Sequence, residues 1–475
     1  MKPGEALAWL DAHVNLESIG VPVGLTRRAA HPTLDRMIEL STLLGSPQLE
    51  YPVIHLTGTN GKTSAARIAT ALLAEQGLSV GATTSPHLER VNERITWNGE
   101  AIDDTTLSEL LTLIAEVEPH LSAVPSYFEI LTALAFRFFA DVAVEAAVVE
   151  VGLGGTWDAT NVAEGRVAVV TNVSIDHVEY LGPTRADIAT DKAGIVKPGS
   201  TLVLGEPDPN LRPLFEDRGA EEMFLRDRDF GVTVNELAHG GRLVSMYTPG
   251  SRYDDVFLSL HGAHQADNAV AALTAVESFL GRALDGAVVG EVLGRITSPG
   301  RLEVVGHQPL VLLDGAHNLA GAHALAAALA EGFPSTPRTL VIGLLREKDP
   351  REMLEALGVQ QAALVICCRA PSPRSRPPEE LAAAAMELGL ERARIEVVDA
   401  VADALTRALE VTDADAQVVV TGSLYVVGAA RSALAAGIKG DRLPKSEASV
   451  RGAGTLRRNA PGPELTVARK VEGRS

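Results

Sequence analysis

The feature that most limits the fold is a short apolar strand that runs straight into a glycine-containing loop and then a helix. Tyr51-Pro-Val-Ile-His-Leu-Thr reads as a buried strand, Gly58-Thr-Asn-Gly-Lys-Thr-Ser follows it, and an Ala-rich helix over Ala65 to Gln76 is closed by Gly77. A strand delivered to a helix by so short a loop is the unit of an α/β sheet covered by helices. Backbone N–H groups at a helix start, together with the helix dipole, form an anion site. Lys62 is long enough to reach β- and γ-phosphates, and Thr63 or Ser64 is suited to Mg²⁺. The general phosphate-loop pattern has Gly where this chain has Leu56, so the signal is the shorter Gly-x-x-Gly-Lys-Thr. Taken alone it is open between a nucleotide site and an ordinary Gly-rich turn.

The rest of the chain repeats the same kind of unit. Residues 5–15 and 31–44 carry helical spacing, joined by a Gly-rich connection from Ile19 to Leu25. Leu78-Ser-Val-Gly-Ala-Thr-Thr reads as a second strand, and Leu107–Val117 and Tyr127–Phe139 as helices. Ala146-Ala-Val-Val-Glu-Val-Gly and Val167-Ala-Val-Val-Thr-Asn-Val are continuous apolar runs, as parallel strands covered on both faces require. Short alternating segments between residues 225 and 260 predict a small antiparallel patch, and His264 to Gly281 a helix. A second α/β series starts after Pro299-Gly300, with strands at Leu310, Arg338, Ala362 and Gln417. The spacing therefore predicts two domains, 1–296 and 297–439, and a basic, disordered tail over 440–475.

Composition narrows the function. A formal net charge of −19 over 475 residues argues against a sequence-independent grip on nucleic acid. Two cysteines, Cys367 and Cys368, stand in one apolar run, so neither a disulfide scaffold nor a C-x-x-C site is expected. No apolar run is long enough to span a membrane, and the N-terminus lacks the pattern of a signal peptide; a cytoplasmic protein is expected. Glu150 ends an apolar strand just before Gly152-Leu-Gly-Gly. A carboxylate there faces the crevice where α/β sheets bind ligands, and its hard oxygens suit Mg²⁺.

Ile54-His-Leu-Thr-Gly-Thr-Asn-Gly-Lys-Thr-Ser resembles the nucleotide loop of the Mur ligase superfamily, and within it that of the folylpolyglutamate and dihydrofolate synthases. Gly24-Leu-Thr-Arg, Thr84-Ser-Pro-His-Leu-Glu-Arg-Val-Asn-Glu-Arg-Ile, Val149-Glu-Val-Gly-Leu-Gly-Gly-Thr-Trp-Asp-Ala-Thr-Asn and Ser174-Ile-Asp-His are similar to that family in the same order. The similarity runs over roughly residues 5–435. It implies a doubly wound N-terminal ATPase domain of phosphate-loop type and a smaller Rossmann-like α/β C-terminal domain.

The resemblance also implies roles. Gly58, Thr59, Asn60, Gly61, Lys62, Thr63 and Ser64 would hold ATP, with Asn268 on the adenine side and Arg301 and Asp314 at the phosphates. Ser85, Glu150, His177 and Ser64 would hold Mg²⁺, as two ions, and Lys192 would be carbamylated. Tyr127, Phe128, Glu129 and Ile130, with Trp157, Asp158 and Ala159, would contact the folate. His317, with Asp314, and Ser423 would meet the incoming L-glutamate; Lys62, Lys192, Asp314 and His317 would be the catalytic set. Two departures stand out: the family usually has Arg-Leu at Thr156-Trp157, and more often Glu at Asp191. The implied activity is ATP-dependent joining of glutamate to a folate or dihydropteroate carboxylate through an acyl phosphate, by a monomer. The alternatives are a Mur-type peptidoglycan ligase and a non-catalytic nucleotide-binding protein. With only about fifty residues before the loop, a separate UDP-sugar domain is not expected.

Overall fold

The computed structural model describes residues 1–19, 34–334 and 337–437. Most of the Gly-rich connection, the Gly24 motif and the basic tail lie outside them. Eight strands form the first sheet: β1 (Val53–Thr57), β2 (Val80–Thr83), β3 (Ile95–Trp97), β4 (Glu100–Ala101), β5 (Ala146–Glu150), β6 (Gly165–Val170), β7 (Thr201–Leu204) and β8 (Glu222–Leu225). Their order is β4-β3-β2-β5-β1-β6-β7-β8. From β2 to β8 all pairs are parallel, and β3 and β4 add an antiparallel edge. The central strands β1 and β5 are buried at every position, in keeping with their mainly apolar sequences.

The chain leaves β1 toward one side of the sheet and later returns to its other side: β5 pairs with one edge of β1 and β6 with the other. This reversal opens a crevice beyond the C-terminal ends of β1, β5 and β6, the place where open α/β sheets bind ligands. The helix Lys62–Glu75 starts there. Asn98, Asp103 and Ser126 show how local chemistry sets the neighbouring elements. Asn98 turns the β3–β4 hairpin at φ 51°, while Asp103 and Ser126 cap the helices Asp104–Val117 and Tyr127–Asp141 by accepting Thr106 N and Glu129 N.

The expected antiparallel patch is a three-stranded sheet, β9 (Gly231–Ala238), β10 (Gly241–Tyr247) and β11 (Arg252–Leu258), in the order β11-β10-β9. The six-stranded sheet follows: β12 (Glu303–His307), β13 (Leu310–Leu313), β14 (Arg338–Ile342), β15 (Leu364–Cys367), β16 (Ile395–Val397) and β17 (Gln417–Thr421). Its order, β12-β13-β17-β14-β15-β16, places β17 between β13 and β14 and makes a second reversal. The helix that reading assigned to residues 5–15 is broken: Pro3–Asp11 ends, and a single turn, Leu16–Ile19, follows. His13 and Asn15 break it, His13 Nδ1 bonding to Trp9 O and Asn15 Oδ1 accepting Glu17 N.

The helix Leu319–Gly332 is fastened to the first half of the chain at both ends. At its start the Asn318 amide donates to Asn60 Oδ1 at 3.0 Å and to Asp176 Oδ2 at 2.8 Å. Near its end Glu331 accepts two bonds, at 2.8 and 2.9 Å, from the buried Arg242 guanidinium of β10. The planar fork of arginine suits such a bidentate pair. These ties bring the open ends of the first and third sheets together.

Candidate active site

One cavity of about 730 Å³ lies between the two sheet ends, and both halves of the chain line it. All seven residues of the phosphate loop, Gly58 to Ser64, reach it, as do Ser85, Glu150, His177, Lys192, Asn268, Arg301, Asp314, His317 and Ser423. Groups up to 365 positions apart in the chain, from Gly58 to Ser423, thus face a common space.

The phosphate loop is clasped by the segment after β6. Thr171 Oγ1 and Asn172 Nδ2 donate to Asn60 O at 2.6 and 2.9 Å, and Asn172 Oδ1 accepts Asn60 N at 3.0 Å. Two glycines make this closeness feasible. Gly58 has φ 152° and its missing Cβ would strike Thr171; Gly61 has φ 85° and its missing Cβ would strike the Asn268 side chain. Lys62 Nζ, deep in the cavity, donates to Gly58 O at 2.9 Å. Burial holds its ammonium below the usual lysine range, partly offset by Glu150 and Asp176.

Glu150 is the centre of a small oxygen cluster. Its Oε1 accepts Thr63 Oγ1 at 2.9 Å and its Oε2 accepts Ser85 N at 3.3 Å. Only 2% exposed, it is pushed by burial above the usual carboxylate range. A buried carboxylate with a threonine hydroxyl against it, beside a phosphate loop, fits Mg²⁺, which binds few protein oxygens and shares the rest with water and phosphates. Among the described residues no group of three or more His, Cys, Asp or Glu could hold a metal by itself. Thr63 and Ser64 are the two hydroxyls suited to Mg²⁺, with Ser64 the one that the resemblance implies. Ser64 lines the cavity with its Oγ 3.1 Å from Ser298 Oγ, and Thr63 lies beside Glu150. Adjacent helical residues differ by about 100° in direction, so only one of two neighbouring hydroxyls can face the carboxylate.

Asp176 forms the second cluster. Its Oδ1 accepts Lys348 Nζ at 2.5 Å and His177 N at 2.9 Å, and its Oδ2 accepts the Asn318 amide. The rings of His177 and His317 stand 3.9 and 3.8 Å from it. Burial alone would raise the Asp176 carboxyl, but the two histidines and Lys348 hold it well below the usual range. Burial pushes His177 down to about 4 and His317 below the usual imidazole range. Asp314 is pushed up by burial; its oxygens accept Leu302 N and Ala316 N, each at 2.8 Å. Asp176 and Lys348 were missed in sequence. Asp176 lay in a quoted motif without a role, and Lys348 carried no local signal.

Burial, and after it the charge of Lys62, lowers Lys192 to about 7. Of the helix start Tyr127-Phe-Glu-Ile, Phe128 and Glu129 line the cavity. Tyr127 and Ile130, offered with them, do not line it. They lie on the helix stripe that packs into the apolar core with Leu131 and Leu134. Trp157, Asp158 and Ala159 all line the cavity, Trp157 at 44% exposure. Asn161 pins their loop by donating to Thr156 O and Gly194 O, both at 3.1 Å.

Comparison with known proteins agrees with this geometry. The model of the Mur ligase middle domain matches residues 56–276, and that of the Mur ligase glutamate ligase domain matches residues 300–424. A dihydrofolate synthase/folylpolyglutamate synthase of Mycobacterium tuberculosis is 42% identical over 84% of this chain and 90% of its own. The structure of Mycobacterium tuberculosis folylpolyglutamate synthase complexed with ADP superposes with a TM-score of 0.81 at 38% identity, covering 90% of this chain and 97% of that one. That of a bifunctional folylpolyglutamate synthase/dihydrofolate synthase with Mn, AMPPNP and L-glutamate bound gives 0.78 at 26% identity, over 92% and 98%. With its phosphate loop, its buried Glu150 cluster and a ligase half closing the same cavity, this chain belongs to the folylpolyglutamate synthase/dihydrofolate synthase family of the Mur ligases.

Proposed function

We propose that this protein joins L-glutamate to the carboxylate of a folate or of dihydropteroate, using ATP and releasing ADP and phosphate. The observation that carries this reading is the single cavity in which Lys62, Thr63 and Glu150 from one half face Arg301, Asp314, His317 and Ser423 from the other. A nucleotide held by the loop would have its terminal phosphate beside both groups. The reading divides the chain into an ATP- and folate-binding half, 1–296, and a glutamate-ligase half, 297–439. The sheets support this, since among the described residues no strand of the first two lies beyond Leu258 and none of the third before Glu303.

Each residue then has a chemical task. The loop N–H groups and Lys62 hold the phosphates, and Lys62 with Arg301 draws charge off the transferring phosphoryl group. The folate carboxylate oxygen attacks the γ-phosphorus, ADP leaves, and an acyl phosphate forms. The amine of glutamate, held near His317 and Ser423, attacks the acyl carbon; phosphate leaves and an amide remains. The contact of His317 Nδ1 with Gly315 O, 2.8 Å, orients the ring, and Asp176 stands 3.8 Å from Nε2. Glu150, Thr63, Ser85 and His177 would hold Mg²⁺, two ions in our reading, which offsets phosphate charge when bound. Lys192, lowered to about 7, has roughly half its amine neutral at neutral pH; CO₂ would convert that form, with loss of a proton, into a carbamate anion. Enclosure between the halves keeps water from the acyl phosphate. We read the protein as a monomer acting in the cytoplasm. Its two buried free cysteines and its use of ATP fit that compartment, and among the described residues no helix is long and apolar enough to cross a membrane.

The test is ADP release with Mg²⁺, ATP and L-glutamate, comparing dihydropteroate, tetrahydrofolate and a UDP-muramoyl substrate. Turnover with either or both pteroyl substrates is expected and assigns synthase type. Turnover only with the UDP-sugar, or none, overturns the reading.

A further inference from the structure

We infer that His55 is a positioning residue for the folate pocket, acting through Thr160 to fix the carboxylate of Asp158 in the cavity wall. The inference rests on the proposed function and on the folate contact that the family resemblance implies for Asp158, which lines the cavity.

His55 sits in the middle of β1, fully buried, between Val149 of β5 and Ala168 of β6. A polar side chain in an apolar sheet needs a partner, and this one has a single partner. His55 Nε2 is 2.9 Å from Thr160 Oγ1, and Thr160 Oγ1 is 2.5 Å from Asp158 Oδ1. Asp158 Oδ1 also accepts Thr160 N at 3.0 Å, and Oδ2 accepts Leu153 N at 2.9 Å.

Proton counting sets the direction of this chain. Burial raises the Asp158 carboxyl to about 6, so above that pH it is ionised and the Thr160 hydroxyl donates its one hydrogen to it. His55 must therefore donate from Nε2, and its Nδ1 is a bare lone pair. Nδ1 has no partner among the described residues. That suits an acceptor, since a buried N–H without a partner is the rarer and costlier orphan. Lys197, whose Nζ donates to Asn161 O at 3.0 Å, is the cation facing the ring. Burial and that charge push His55 down to about 3, so the ring stays neutral and the donor stays on Nε2. Without it the hydroxyl loses the partner that orients its hydrogen toward the Asp158 carboxylate.

The test combines kinetics with a tautomer measurement. Thr160→Val is expected to raise the KM of the pteroyl substrate about tenfold, the scale of one lost hydrogen bond to a charged group. The KM values of ATP and glutamate should stay within about twofold, and Thr160→Ser should restore the pteroyl KM. Nitrogen-15 NMR of histidine-labelled wild type should show a neutral, Nε2-protonated ring from pH 7 to 8, where Asp158 is ionised. A ring protonated on Nδ1, an unchanged pteroyl KM in Thr160→Val, or an equal rise in all three KM values would overturn the inference. Wild type that turns over no pteroyl substrate would instead defeat the functional reading, and the pocket assignment with it, whatever the tautomer.

Discussion

Lys348→Met tests how the two halves are held over the cavity. Asp176 belongs to the loop after β6 and Lys348 to the loop after β14, yet Nζ and Oδ1 are 2.5 Å apart with side chains only 16% and 5% exposed. Removing one member of a buried pair typically costs about 3–5 kcal/mol, because the other charge stays desolvated. Here the Asn318 amide and His177 N would still serve Asp176, so the cost should fall at the lower end, about 3 kcal/mol. Asp176→Asn removes the charge itself. The double variant should therefore lose less than the two single losses combined, with a coupling of about 2 kcal/mol. Urea unfolding followed by far-ultraviolet circular dichroism and by tryptophan fluorescence would measure it. The three tryptophans, Trp9, Trp97 and Trp157, all report on the first half. The linkage sign is clear. A carboxyl held below its unfolded value of about 4 adds stability above that value and loses it only as pH falls through the folded one. The coupling should thus be flat from pH 5.5 to 8. Additivity within about 0.5 kcal/mol, or a coupling already fading at pH 5.5, would refute the argument.

Three further outcomes follow from the same geometry. Glu150→Gln should raise the Mg²⁺ concentration needed for turnover at least about tenfold; since burial makes the charged carboxylate unfavourable in place, metal-free thermal scans should show the variant no less stable than wild type. Gly61→Ala, at φ 85° and against Asn268, should weaken ATP binding by about tenfold or more, read by titration calorimetry. Labelled bicarbonate should give a carbon-13 carbamate resonance that Lys192→Arg lacks, and carbamate and turnover should rise together as pH climbs through about 7, where the amine loses its proton.

Much of the fold was legible because its signals are local. Strands β1, β5 and β6 are covered on both faces over most of their length, so each reads as a mainly apolar run. The phosphate loop demanded glycine at two positions and lysine next to the second, and that pattern survives without any knowledge of packing. Edge strands were harder: β3, β4 and β16 have two or three residues each, too few to show a period. The site was legible where a residue ends a strand or opens a helix, as with Glu150, Asp314 and Ser423. It was less legible where neighbours compete for one direction. Thr63 rather than Ser64 faces Glu150, and Phe128 and Glu129 rather than Tyr127 and Ile130 reach the cavity.

The sequence by itself determined which segments become strands and helices, and where an anion-binding loop must sit, because backbone sterics and apolar period act over a few residues. Only the tertiary structure decided that Asp176 meets Lys348 across 172 positions, that Arg242 grips Glu331, and that His55 reaches Asp158 through Thr160. Those contacts depend on how strand order reverses in two sheets and on how one helix is anchored between them. Such distances are set by packing of the whole chain, and no local pattern of residues encodes them.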